Sequence, residues 1–358
     1  MGFRAKRVVL LATMLVLFTL SLVDVAVKKE EMFEAFGIQF LNEDKTLAHE
    51  QSRQGITATA ENELSIGRDG VREVRLSGTG TEMTVSRATG DSVELTYKVT
   101  ASALNEDKAN KLRDAVKVDQ VLRDGVLSLS ASLNGRPVHD DAIAIQYTLL
   151  LPDQLGLSVR NEQGSVHIED IQGDVEASVV DGMLEIFRVV GDVSVSSTDG
   201  TLYLSEIRGG VQAKSVSSET TMVKITGAAE LESESAYSFI NEIEGSVTGS
   251  VNGGGLHVRG ASGPVQLQVQ AGDMQVEEVR NDLIVSGQNS SIRLMLPQTG
   301  GYKLNAVVTS GKLRTTLPFP VEEAWNDNGE DRVSGVIGSG RWNAKVDATD
   351  SAVMIHSD

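Results

Sequence analysis

Across residues 152–297, apolar residues recur in columns eighteen residues apart. Within each repeat they alternate with polar residues, as at Val166 and Ile168 and again at Val175 and Ala177. A period of two is typical of a strand with one buried face, so each repeat is predicted to hold two short strands. The apolar columns are Val175, Val193, Val211, Ala229, Val247, Val265, Leu283; Ile168, Ile186, Leu204, Met222, Ile240, Val258, Val276, Leu294; Ile171, Val189, Ile207, Ile225, Ile243, Ala261, Val279; and, more loosely, Val166, Leu184, Leu202, Thr220, Ser238, Leu256, Met274, Ile292.

Small residues recur at two positions of the same repeat and form two series, here called the first and second combs. Six glycines and one asparagine form the first comb, and every residue of the second comb is Gly, Ser or Ala. The asparagine favours a first-comb backbone that turns with positive φ, where Gly and then Asn are the best residues. The first comb is Gly173, Gly191, Gly209, Gly227, Gly245, Gly263, Asn281, and the second is Gly164, Gly182, Gly200, Ser218, Ala236, Gly254, Gly272, Ser290.

A fixed period of this size is typical of a stacked solenoid, in which each repeat buries its apolar side against its neighbours. The predicted fold class is all-β: a parallel β-helix with an 18-residue coil, preceded by an N-terminal transmembrane or signal helix. The spacing favours a right-handed coil, because a left-handed hexapeptide helix needs an aliphatic residue every six positions. The Gly-Gly-x-Gly-x-Asp pattern of calcium-binding nonapeptide repeats is absent from the sequence.

Residues 1–29 have a different composition. Arg4, Lys6 and Arg7 precede an apolar run over 8–23, which Asp24 interrupts. Basic residues before an apolar stretch place the N-terminus on the cytoplasmic side and export the chain that follows. Sixteen residues is short for a membrane span and long for a cleaved signal core. The sequence therefore predicts a single-pass anchor, with a signal peptide cleaved near Ser21 as the alternative.

The pattern divides the rest of the chain into four parts. Residues 30–55 are polar and are predicted to form a stalk, and residues 56–151 read as early strands with an inserted helix near 104–118. The regular repeat over 152–297 is followed by C-terminal coils and a cap over 298–358. Within this last part, 321–335 resembles a loop, and 341–355 is predicted to supply the closing strands.

The composition of the chain excludes several kinds of functional site. The chain of 358 residues contains no cysteine, which excludes disulfides, a thiolate nucleophile and a zinc–thiolate site. Its formal charge of −18 disfavours binding to nucleic-acid phosphates, which requires clustered Lys and Arg. No cofactor is indicated.

Histidine offers no metal site. His167 and His257 occupy the same outward column but lie five coils apart, about 24 Å at the spacing of strands, so they cannot share a metal ion. The remaining histidines, His49, His139 and His356, fall in peripheral segments. No metal, cofactor-binding or catalytic residue is predicted.

One outward column carries charges whose sign alternates over its first five members. Neighbouring side chains in it lie about 5 Å apart, where opposite charges stabilise the register and like charges destabilise it. We interpret the column as register control, with a ligand-binding strip as the alternative. Its members are Asp170, Arg188, Glu206, Lys224, Glu242, Gly260, Glu278.

The Asp-Gly pairs at 181–182 and 199–200 are interpreted as turns rather than catalytic aspartates. Some β-helix proteins degrade polysaccharides, but the outward columns here show no obvious cluster of carboxylates. Aromatic side chains that could carry sugars are scarce, and Tyr203, Phe239 and Phe187 read as scattered over different positions. Trp325 and Trp342 are expected to cap the last coil.

The early strands end in Leu-Leu-Leu-Pro at 149–152, Gly-Asp-Val and Asp-Gly-x-Leu units follow, and Gly-Ser-Gly-Arg-Trp stands at 338–342. With the N-terminal apolar segment, these motifs resemble the bacterial putative-adhesin family over roughly residues 56–358, and bactofilins share a similar coil. The family is a domain of unknown function with a β-solenoid fold, and the resemblance implies an envelope protein without catalytic residues.

The predicted function is that of a non-enzymatic, membrane-anchored, extracytoplasmic β-helix acting as a scaffold or adhesin-like interaction protein. The predicted location is the cell membrane, with a cytoplasmic N-terminus and an extracellular solenoid, or the medium if the signal is cleaved. Two alternatives stay open: a regulator or sensor in envelope stress, and a carbohydrate-active enzyme. Expected partners are an envelope or membrane protein, a cell-surface polymer, or a second copy stacked end to end.

Overall fold

A computed structural model describes residues 55–317, 322–326 and 329–357. The predicted anchor over 1–29 and the stalk up to residue 54 lie outside the described residues. Within the described part of the chain, one helix is present, and it is neither long nor apolar enough to cross a membrane. All other elements are strands, so the predicted all-β class is confirmed.

Half of the strand pairs among β1–β9 are antiparallel. Strand β1 pairs antiparallel with β4, and β4 pairs antiparallel with β8, whereas β2 and β3 pair in parallel with β9. The helix α1, which Asn105 caps by accepting a hydrogen bond from the Lys108 amide, is shorter than the predicted 104–118 because β5 already begins at residue 116. The elements are β1 Ile56–Gly67, β2 Glu73–Thr79, β3 Thr81–Arg87, β4 Ser92–Ala103, α1 Glu106–Asp114, β5 Val116–Arg123, β6 Val126–Leu133, β7 Arg136–Pro137, β8 Ile143–Leu151 and β9 Gly156–Glu169.

From β9 to β17, each strand pairs in parallel with the segment eighteen residues further along the chain. Val175 pairs with Val193, Val193 with Val211 and Val211 with Ala229, without a slip in register. The strands of this region are β10 Val175–Phe187, β11 Val193–Thr198, β12 Thr201–Ile207, β13 Val211–Val216, β14 Glu219–Ile225, β15 Ala229–Ile243, β16 Val247–Ala261, β17 Val265–Glu277, β18 Leu283–Gln288 and β19 Ser291–Leu296.

The predicted inward columns form the core. Every member of the four columns is buried, with at most 5% of its surface exposed. Two members are polar, and both find partners: the Thr220 hydroxyl donates to the carbonyl of Ser218, and the Ser238 hydroxyl donates to Ser233. The period-two pattern therefore places one face of each strand in a continuous core.

The combs lie at stacked corners, but for a reason other than the predicted one. Among the first-comb glycines only Gly191 has a positive φ. A Cβ added at Gly209 would lie 2.1 Å from the carbonyl oxygen of Gly191, and the other glycines of this comb meet similar contacts. The first comb is glycine-rich because backbones approach closely at this corner, and the prediction of positive φ along it is wrong.

Positive φ occurs instead in two neighbouring columns. One is the charged column, in which every member has a φ between 53° and 66°. The other directly precedes the second comb and contains Asp181 and Asp199, with φ of 52° and 54°. The two Asp-Gly pairs thus stand at turns, with the left-handed conformation on the aspartate.

The C-terminal region departs from the predicted order in two ways. The final strands β24 and β25 lie inside the stack, because Leu283 of β18 pairs with Ala344, which pairs in turn with Leu304 of β20. The segment 321–335, predicted as a loop, contains two antiparallel strands, β22 and β23, and β23 pairs with β20. The C-terminal strands are β20 Tyr302–Thr309, β21 Lys312–Thr316, β22 Glu322–Asn326, β23 Glu330–Val336, β24 Trp342–Thr349 and β25 Ala352–Ser357.

Candidate ligand-binding face

The parallel strands over 156–296 present two outward faces of different chemistry. The first, called the polar face, is the column of Glu176, Ser194, Gln212 and Glu230. The second, called the aromatic face, consists of the columns that begin at Ser165, His167 and Glu169. Four aromatic side chains with exposed surface lie on this second face: Phe187, Tyr203, Tyr237 and Phe239. Those described elsewhere, Tyr97, Tyr147, Tyr302 and Trp342, are buried or half-buried.

Three rings stack at the N-terminal end of the aromatic face. The centroid of Phe187 lies 5.4 Å from that of His167 and 5.3 Å from that of Tyr203, with the rings tilted against each other. These separations are typical of favourable aromatic pairs. Because the strands are held in register by the ladder, the three rings form one half-exposed apolar platform that crosses three coils.

A second group lies further along the same face. The rings of Phe239 and His257 meet edge to face with centroids 5.1 Å apart. Tyr237 stands beside Phe239 with 68% of its surface exposed, and together with Gln275 and Arg293 these residues line a shallow groove. Large exposed aromatic side chains are uncommon on a soluble surface and typically mark a binding site.

Hydrogen-bonding groups border both aromatic groups. His167 Nδ1 lies 3.3 Å from Glu185 Oε2, and His257 Nε2 lies 2.6 Å from Glu277 Oε1. Glu169 accepts a 2.8 Å hydrogen bond from Arg188. The face therefore combines apolar ring surfaces with carboxylates that are already held in place by a neighbour.

The interpretation that Tyr203, Phe239 and Phe187 are scattered is wrong. Tyr203 and Phe239 stand in the column of His167 and His257, separated from them by whole multiples of eighteen residues. Phe187 lies two positions further along its strand, in the adjacent outward column, and reaches across to both rings. The eighteen-residue period that identifies the core also aligns Tyr203 and Phe239 in one outward column, so the sequence contains the signal for this face.

The charged column lies at the corner that borders the aromatic face. Arg188 Nε donates to Asp170 Oδ1 at 2.6 Å, and Lys224 Nζ lies 3.6 Å from Glu206 Oε1. The hydrogen bond from Arg188 holds the pKa of the Asp170 carboxyl below its usual value. Glu278, at the other end of the column, is paired with Arg259 at 2.7 Å. Within the column, opposite charges thus form two ion pairs, Arg188 with Asp170 and Lys224 with Glu206, whereas Arg259 belongs to the adjacent column.

The remaining candidates do not gather into a site. Among the described residues, no three His, Asp or Glu side chains come together as a metal-binding group. His139 follows β7, and His356 lies in β25. Trp342 packs against Tyr302, with ring centroids 5.6 Å apart, and Arg341 lies over its ring. The hydroxyl of Tyr302 donates to the carbonyl of Val279 at 2.6 Å, so this pair joins the C-terminal segment to the stack. His49 lies outside the described residues.

Three solved structures that match most of this chain carry descriptions of one kind. A putative cell adhesion protein from Clostridium sporogenes is 11% identical, with 84% of this chain and 100% of that chain covered and a TM-score of 0.22. Putative adhesins from Bacteroides fragilis and Parabacteroides merdae are 12% and 9% identical, cover 84% of this chain and 97% of their own, and give TM-scores of 0.24 and 0.27.

These descriptions agree with the family that the sequence resembles. No family model and no curated protein matches the chain.

Proposed function

We propose that this chain is an adhesin-like protein of the bacterial cell envelope, whose aromatic face binds a carbohydrate polymer at a cell surface. The observation that carries the proposal is the concentration of half-exposed rings on one outward face, next to fixed carboxylates. One side of a pyranose ring presents C–H groups, which pack on an aromatic ring, while its hydroxyls bond to polar groups at the edge.

The body that carries this face is proposed to be a right-handed parallel β-helix with a coil of eighteen residues. The parallel register at that offset supports the coil length. The right hand is supported by the strong preference of parallel crossover connections for that hand. Neighbouring coils are about 4.8 Å apart, so Tyr203 and Phe239, two coils apart in one column, present rings about 10 Å apart along the axis. A linear polymer running along the axis would meet both.

Binding without cleavage is the proposed activity. Glu169, Glu185 and Glu277 on the face are each bonded to an Arg or His side chain. Glycosidases use one carboxyl group as an acid and a second as a base or nucleophile, across the scissile bond. Carboxylates that are already hydrogen-bonded to an Arg or His side chain suit hydrogen bonding to hydroxyls better than proton transfer. Incubation with the bound polymer is expected to release no new reducing ends.

The binding test compares two double variants. Tyr203→Ala with Phe239→Ala removes a ring from each aromatic group, and Gln212→Ala with Glu230→Ala alters the polar face, where this pair is joined by a 3.3 Å contact. Sedimentation with purified cell-wall polysaccharide should show at least a tenfold loss of binding for the first variant and little change for the second. Equal retention by both variants, with unchanged melting temperatures, would contradict the proposal.

Anchoring in the membrane is part of the proposal. Its support is the order of Arg4, Lys6 and Arg7 before the apolar run, which favours export of everything that follows. Protease added to intact protoplasts should digest the chain beyond Lys29. Protection of the whole chain would contradict an extracytoplasmic location, whereas mature protein free in the medium would indicate cleavage near Ser21.

A further inference from the structure

A cavity of about 260 Å³ opens near the N-terminal end of the stack. It lies beside the corner that carries the second comb, at the end of the stack of strands where no further corner packs on that one. Gly80 still forms a tight corner, and its amide donates to the carbonyl of Glu162 at 2.7 Å. In the next layer of the stack, the chain runs from β6 through the short strand β7 to β8. This layer has no tight corner that could pack on the one at Gly80. None of the rings of the aromatic face lines this cavity.

A buried tyrosine lines the cavity. Tyr147 points inward from β8 and is 1% exposed, yet its hydroxyl has no hydrogen-bond partner among the described residues. Burial raises the pKa of this phenol, a rise that the nearby backbone amide of Ala131 partly opposes. An amide can only donate to the phenol oxygen, so the phenol proton still lacks an acceptor. Buried polar groups in native proteins rarely stay unpaired, and each exception calls for an explanation.

The rim of the cavity supplies donors and acceptors in balance. Arg136 and Arg160 contribute guanidinium groups, and Asp119 and Glu162 contribute carboxylates. None of the four forms an ion pair within 4.0 Å inside the described ranges. Thr81, which also lines the cavity, is satisfied by Asn161 through two hydrogen bonds of 2.8 Å. The unpaired hydrogen-bonding groups of the cavity are therefore the Tyr147 hydroxyl and the four charged groups of the rim.

We propose that this cavity binds one neutral sugar residue, whose oxygen accepts the Tyr147 hydroxyl proton and whose other hydroxyls meet the rim. The volume lies just below the range of about 300–1,000 Å³ that is typical of drug-sized ligands, which suits a single ring. The two guanidinium groups and two carboxylates of the rim give it no net charge. A charged ligand would therefore meet a group of its own sign next to each group of opposite sign. The site is separate from the aromatic face, and it stands or falls independently of the function proposed there.

The test uses the full-length protein in detergent and calorimetric titration with glucose, N-acetylglucosamine and glucuronate. Tyr147→Phe removes only the hydroxyl. Tyr97→Phe is the matched control, because Tyr97 pairs with Tyr147 across the β4–β8 ladder but does not line the cavity. A neutral sugar should bind at least tenfold more tightly than glucuronate, and Tyr147→Phe should lower its affinity at least tenfold while Tyr97→Phe leaves it within twofold. Oligosaccharides of the sugar that binds distinguish a chain end from a free monosaccharide.

Three results would overturn the proposal. They are the absence of binding by both neutral sugars, tighter binding of glucuronate, and equal affinities of the two tyrosine variants. A crystal soaked with the sugar supplies a second readout that does not depend on the variants. A sugar oxygen within hydrogen-bond distance of the Tyr147 hydroxyl supports the site, and ordered water alone at that position overturns it.

Discussion

At the scale of single residues, the corners of the coil are decided by close contacts and by backbone strain. An L-residue with left-handed φ costs roughly 1–2 kcal/mol, more than the 0–1 kcal/mol of an exposed ion pair. Arg188, Glu206 and Lys224 all stand in that conformation. The ion pairs of the charged column therefore offset only part of the strain, and the fold holds these residues at the corner.

Two adjacent glycines, Gly209 and Gly210, differ in how closely the backbone of the neighbouring repeat approaches them. A Cβ at Gly209 would lie 2.1 Å from the Gly191 carbonyl oxygen, whereas a Cβ at Gly210 would meet nothing closer than 3.4 Å. We expect Gly209→Ala to destabilise the fold by about 1–3 kcal/mol, the range for overpacked sites. Gly210→Ala should be neutral or stabilise by up to about 1 kcal/mol. Urea unfolding of the two variants measures the difference, and equal effects would show that stacking at the corner is not close.

The Arg188–Asp170 pair predicts a pH dependence. The pKa of Asp170 is lowered in the folded protein, so its contribution to stability is complete above the ordinary value of 3.8 and is lost as the pH falls through the folded pKa. Asp170→Asn should therefore lower the melting temperature at pH 7, by about 2 °C or less because the pair is exposed. The difference from the parent should vanish below the folded pKa. A difference that persists at lower pH would mean that Asp170 acts through packing rather than charge.

At the scale of elements, the sequence predicts what repeats and misses what does not. The inward columns of 152–297 follow from one period, because each eighteen-residue repeat meets the same environment as the last. The position of β24 between β18 and β20 depends on contacts between segments far apart in sequence, which leave no periodic signal. The hairpin of β22 and β23 is local, but it lies outside the eighteen-residue repeat, so the period gives no signal for it.

Cysteine pairs can test this strand order, because the chain has no cysteine of its own. Ile284 of β18 pairs with Lys345 of β24, which pairs with Asn305 of β20, and all three side chains face outward. Adjacent strands are about 4.8 Å apart, within disulfide range, whereas β18 and β20 are about 9.6 Å apart, beyond the 7 Å limit. Ile284→Cys with Lys345→Cys should cross-link on mild oxidation. Ile284→Cys with Asn305→Cys should not, and the reverse result would place β20 next to β18.

At the scale of the whole molecule, periodicity predicts the core better than the surface. Burial applies to every member of an inward column, so a single period identifies all of them. The aromatic face needs only a few rings in one column, and Phe187 joins it from a neighbouring column. The cavity at Tyr147 could not be predicted, because it arises where the repeat stops.

The coil length itself is tested by two deletions. Removing residues 182–199 joins Asp181 to Gly200 and keeps every comb and column in phase, since Gly200 packs on Gly182 as closely as Gly182 packs on Gly164. This deletion removes Arg188 and brings Glu206 beside Asp170, a like-charge pair that costs a few tenths of a kcal/mol. The product should stay soluble and unfold cooperatively, with a slightly lower melting temperature and an axis shorter by about 4.8 Å.

Removing residues 182–190 takes out half a coil and should not be tolerated. The two combs are both small, so Gly191 fits the place of Gly182, but the inward column of Ile171 has no buried apolar counterpart nine residues on. Val180 stands there and is 42% exposed, and Thr198 would enter the buried position of Val189. All later coils would lie half a turn out of step, so we expect aggregation or loss of the cooperative transition, measured by circular dichroism and size-exclusion chromatography. Equal behaviour of the two deletions would show that the structural unit is shorter than eighteen residues.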